Sequence, residues 1–156
     1  MEYVLYADSL INNTNRIDSF LSKNKKISRL YFGEEFCEEL IPDLAKIEDF
    51  LQYVNGKDLD FTYVSGVVSN KALKREVDIL RFLNKQKVKN KKIEVVANDW
   101  GILSIIPEKF KNLKPILGRM LVKNQRMQRY TLRDPRPFSH LVANLGLWDN
   151  QRQILR

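Results

Sequence analysis

The sequence predicts an α/β protein of repeated βαβ units around a mainly parallel sheet. Two observations carry this prediction. Short runs rich in β-branched and aromatic residues alternate with segments whose apolar residues recur every three or four positions. Each strand-plus-helix unit takes roughly 30 residues, the length of one crossover between parallel strands. Five strands are placed by residue 120, whereas a closed barrel of eight such units takes about 250 residues. The expected sheet is therefore open, or part of a barrel of the TIM type whose edges must be covered.

The first strand is expected at Tyr3 to Ala7, followed by an Asn- and Thr-rich loop in which Asn13 or Thr14 caps a helix over Asn15 to Ser22. Ile27 to Phe32 forms the second strand, with Gly33, Glu34 and Glu35 at its tip. Leu44, Ile47, Leu51 and Val54 then mark a helix that starts near Pro42, because proline is tolerated only in a first turn; Phe36 to Ile41 makes a separate turn, and Asn55-Gly56 ends the helix. The third strand is Phe61 to Val64, with Ser65-Gly66 as its tip. Asn70 is placed to cap a helix from Lys71 to about Gln86 that buries Leu73, Val77, Leu80 and Leu83 and turns Lys74, Arg75, Glu76 and Asp78 to solvent. Ile93 to Ala97 is the fourth strand, ending on Asn98 and Asp99. A short helix follows and is expected to stop at Pro107, before a fifth strand over Pro115 to Met120. Residues 1–121 thus read as the α/β domain, and 122–156 as a basic loop with a weakly helical tail.

The composition, 44% hydrophobic and 29% charged, is that of a folded globular chain. No window holds the roughly 18 uncharged apolar residues of a membrane span, and the expected setting is cytoplasmic, with no membrane partner. A single cysteine, Cys37, precludes an internal disulfide and is expected to be buried or half-buried. The net charge of +8 is unevenly spread along the chain. Residues 1–106 hold 16 basic and 16 acidic residues, whereas 107–136 hold nine basic residues against Glu108 and Asp134. With Phe110, Tyr130 and Phe138 interleaved, that segment makes Lys123, Arg126, Arg129, Arg133 and Arg136 candidate nucleic-acid contacts.

Ligands of parallel α/β sheets bind at the carboxyl ends of the strands. The candidate ligand-binding residues are accordingly Glu34, Ser65, Asn98, Asp99 and Arg119. Asp99 has two readings, a substrate-facing carboxylate or the cap of the next helix. Arg119 either pairs structurally or holds an anionic group. The acidic cluster at Glu34, Glu35, Glu38 and Glu39 fits complementation of a helix start better than a metal site. With one histidine, His140, and one cysteine there is no metal cluster of the usual spacing, no nucleophile-elbow motif and no glycine-rich phosphate loop, so no cofactor and no catalytic residue is assigned.

The stretch Val95-Val96-Ala97-Asn98-Asp99-Trp100-Gly101-Ile102-Leu103, followed by Leu117-Gly118-Arg119 on the next strand, resembles the barrel segment of the U32 peptidase family. The resemblance implies a (β/α)8-type fold. It also implies either peptidase activity or, as in some relatives, oxygen-independent hydroxylation of RNA bases or of a quinone precursor with an iron-sulfur cluster. Cys37 alone cannot hold such a cluster. The leading expectation is therefore a non-catalytic or accessory module that binds a peptide, a protein partner or an anionic ligand, with a protein partner or a second copy of the chain covering the incomplete sheet. The alternatives are a U32-type enzyme completed by a partner chain, and an RNA-binding protein using residues 109–136.

Overall fold

A computed structural model describes residues 3–8 and 14–122. The elements are β1 (Tyr3–Asp8), α1 (Thr14–Lys23), β2 (Ile27–Gly33), a 3-10 turn (Glu38–Leu40), α2 (Leu44–Gly56), β3 (Asp60–Ser65), α3 (Asn70–Leu83), β4 (Ile93–Ala97), α4 (Trp100–Lys109) and β5 (Leu113–Leu117). A further helical turn begins at 119–122. Every pairing between the five strands is parallel, and the strands stand side by side in chain order. Right-handed crossovers between adjacent strands place all helices on one face. The fold is thus α/β with a parallel sheet of five βαβ-linked strands, as the alternation predicts. Among the described residues no helix is long and apolar enough to cross a membrane.

The register shows how the two faces divide. Leu30 pairs with Phe61, Phe32 with Tyr63, and Tyr63 with Val95. These residues point into a core shared with Ile47 and Phe50 of α2, Ile79 and Leu80 of α3, and Ile102 and Ile106 of α4. Phe32 stacks on Phe50 with ring centroids 4.2 Å apart and ring planes 11° from parallel.

The intervening residues line the other face and form a charged ladder across four strands. Arg29 Nη1 donates to Thr62 Oγ1 (2.9 Å) and to Glu94 Oε2 (2.8 Å), and Arg29 Nη2 pairs with Asp60 at 3.3 Å. Lys114 Nζ completes the row on Glu94 Oε1 at 2.9 Å. The two acids, Asp60 and Glu94, stand between Arg29 and Lys114, so this face pairs its charges with one another. Covered by helices on one side and by this ladder on the other, β3 is buried from Phe61 to Ser65.

Several boundaries depart from expectation. The α3 cap is Ser69, whose hydroxyl accepts from Lys71 N, so Asn70 is already helical. Pro107 lies inside α4: in a last turn it forfeits only one bond, and Phe110 N still closes the turn on Ile106 O at 2.9 Å. β5 starts at Leu113 and ends before Gly118, leaving Met120 in the next helical turn. Cys37 is exposed, because the acidic loop around it runs over the surface. Glu76 is buried, since it falls four residues before Leu80 and seven before Leu83 on the inward stripe of α3. The α1 cap at Asn13, the basic loop and tail, and Lys123, Arg126, Arg129, Arg133 and Arg136 lie outside the described residues.

Candidate functional site

The carboxyl ends of the strands are closed over by their own chain. After β2 the backbone passes above the end of β3, where Gly66 makes room: a Cβ there would stand 2.8 Å from Glu34 O. The loop then reaches the end of β5. Arg119 Nε donates to Glu35 Oε2 at 2.6 Å, and the guanidinium lies 4.8 Å from the centroid of the Phe36 ring. Glu34 turns back to accept from Phe36 N at 3.2 Å, which stiffens the crossing. Glu38 ties the same loop to α3, accepting from Ser69 N (2.7 Å) and Ser69 Oγ (2.9 Å), and these bonds hold its carboxyl below the usual range.

Beneath the loop, Asn98 joins three strands. It is buried; its Nδ2 donates to Ser65 O at 2.9 Å and its Oδ1 accepts from Met120 N at 3.2 Å. Gly118 lies against it, since a Cβ there would fall 2.2 Å from Asn98 Oδ1 and 2.7 Å from Ala97 O. Asp99 caps α4, accepting from Gly101 N (2.7 Å) and Ile102 N (3.2 Å). Of the five candidates, Ser65 and Asn98 are therefore in contact, whereas Asp99 and Arg119 do not form a pair: one caps a helix and the other binds Glu35. Ser65 is buried, with its hydroxyl 3.4 Å from Gly66 O.

One titratable group was not among the candidates. Glu76 is fully buried under the end of β3, where Tyr63 Oη donates to its Oε2 at 3.1 Å and Oε1 makes no well-formed hydrogen bond. Burial pushes its carboxyl up to about 7, with Asp99 adding a smaller push, while the Ser65 and Tyr63 hydroxyls and Arg75 pull it down. Burial and the Glu76 charge likewise push the Tyr63 phenol well up. The stripe of α3 was the available signal, for position 76 stands in phase with Leu80 and Leu83.

The ensemble is chemically quiet. The polar groups at the strand tips bond to one another, and Glu76 is sealed from solvent beneath them. Among the described residues no group of three or more His, Cys, Asp or Glu is placed to hold a metal ion. A groove of about 370 Å³ between the start of α2 and α3 is lined by Asp43, Leu44, Lys71, Lys74, Arg75 and Asp78, in which both signs of charge mix. No protein-family model, curated protein or solved structure matches this chain.

Proposed function

We propose that the chain is a U32-like α/β module with a non-catalytic, accessory role, and that it works by pairing with a second copy through its open sheet edge. The carrying observation is β1. Among the described residues it is an edge strand, on which Tyr3, Val4 and Tyr6 remain 45 to 48% exposed. Exposed edge strands with apolar side chains invite pairing with another chain, and folds usually blunt them with charge or cover. A second copy brings a β1 edge of the same kind, so one self-complementary contact covers both. The residues that carry the U32 resemblance support the non-catalytic part of this reading: Asn98 clasps strands, Asp99 caps α4, and the loop at Glu34 to Phe36 covers their ends.

Sedimentation of the full chain tests it. The expected mass exceeds the 18.4 kDa of one chain, and Val4→Lys with Tyr6→Lys returns it to one chain without loss of helical signal. A wild-type chain that sediments as a single copy at its highest soluble concentration rejects the proposal.

A further inference from the structure

The parallel topology gathers every helix-to-strand connection at one end of the sheet, the end opposite the strand tips. Residues 23–26 before β2 hold three lysines, residues 84–92 before β4 hold five, and residues 109–114 before β5 hold three. Residues 57–60 add Lys57 together with Asp58 and Asp60, the only acids in these four connections. At the other end the bias reverses, for residues 33–43 contain Glu34, Glu35, Glu38, Glu39 and Asp43 and no basic residue. The described body is thus polarised along its strands.

Part of this bias serves the fold. Helix C-termini point to the basic end, and Lys23 and Lys109 sit in last turns where a cation is favourable. Lys89 and Lys91 reach Asp60 at 3.9 and 3.5 Å, and Lys114 reaches Glu94. The remainder has no acidic partner among the described residues. Lys25, Lys87 and Lys111, one from each of three connections, are exposed and have no carboxylate within ion-pair distance among the described residues, and Lys111 Nζ donates to the Pro107 carbonyl at 2.7 Å, which leaves its charge unneutralised. These connections precede neighbouring or next-neighbouring strands. At about 4.8 Å per strand, the row from β2 to β5 spans about 14 Å before side chains extend it.

We infer that this lysine-rich rim binds the phosphodiester backbone of a nucleic-acid duplex without reading its sequence. A row of exposed ammonium groups matches closely spaced phosphates, which supply most of non-specific affinity. Stacking on single-stranded bases needs a run of exposed aromatic faces, and at this end the exposed aromatics among the described residues are Tyr3, whose ring already lies under Lys26 Nζ at 5.9 Å, and Phe20 in the last turn of α1, with none on the connections before β4 and β5. A membrane surface would call for apolar residues to insert across the whole rim, and the exposed large apolar side chains here, Tyr3, Val4 and Phe20, all belong to β1 and α1. The rim is distinct from the strand tips and adjoins the pairing edge at Tyr3 and Val4, the first residues of β1.

Fluorescence anisotropy of the full chain with labelled duplex RNA and duplex DNA of mixed sequence, across a salt series, tests the inference. Binding to either or both duplexes is expected, steeply weakened by salt. Lys25→Gln, Lys87→Gln and Lys111→Gln together should lower affinity at least about tenfold and flatten the log–log salt dependence by about 0.9 for each phosphate that is no longer neutralised. Arg126→Gln with Arg129→Gln should leave the affinity within about twofold. Circular dichroism checks that both variants fold. The inference is overturned if the triple lysine variant binds like wild type, if only the Arg126 and Arg129 variant loses binding, or if phosphatidylserine vesicles bind while neither duplex does.

Discussion

Protonation of the buried Glu76 links the stability of the fold to pH. Its folded value of about 7 stands above the ordinary 4.5, so the native state holds the proton more tightly than the unfolded chain does. The resulting stabilisation is complete below pH 4.5 and is lost as pH rises to about 7. Asp18 and Glu38 shift the other way, through bonds from Lys57 and Tyr53 and from Ser69, and their contributions fade only as pH falls into the acid range. Comparing wild type with Glu76→Gln isolates the buried group. By urea denaturation the variant should be more stable at pH 8 by on the order of 2 kcal/mol and nearly equal at pH 5. Parallel pH profiles for the two proteins would place the proton elsewhere.

Between elements, the Asn98 clasp sets how β3, β4 and β5 end together. Gly118→Ala pushes a methyl into the Asn98 amide and the Ala97 carbonyl, both held by other bonds, and should cost about 1 to 3 kcal/mol. Asp99→Ala removes only a helix cap and should cost about 1 kcal/mol. Thermal unfolding that ranks Asp99→Ala as much the more damaging would contradict the clasp. The strands and helices themselves were legible, because a period of two or of three to four is a local property of the chain. The partners of Asn98 and Arg119 were not, since Ser65 lies 33 residues from Asn98 and Glu35 lies 84 from Arg119. Asp99 was legible as one of two readings, and the cap geometry selects the bland one.

Across the whole molecule, stability should be graded from the sheet centre to its first edge. β3 is buried along nearly its full length, whereas β1 leaves Tyr3, Val4 and Tyr6 exposed. Hydrogen exchange at low protein concentration should show β1 amides opening well before those of β3. If pairing covers that edge, protection of β1 should rise with concentration while β3 stays unchanged. Equal protection of both strands at low concentration would contradict the grading. The sequence alone determined the α/β class, the parallel order implied by its 30-residue units and most of the core, because each follows from apolar periodicity within a short window. The tertiary structure decided which charges face one another. It drew Arg119 to Glu35, put Glu76 out of water, and collected lysines from separate connections onto one end. Charge counting along the chain had placed the basic excess after residue 106, but Lys109, Lys111 and Lys114 lie at one end of the sheet and Arg119 at the other. Electrostatic neighbourhoods depend on distance in space, and parallel crossovers bring together residues that the sequence keeps far apart.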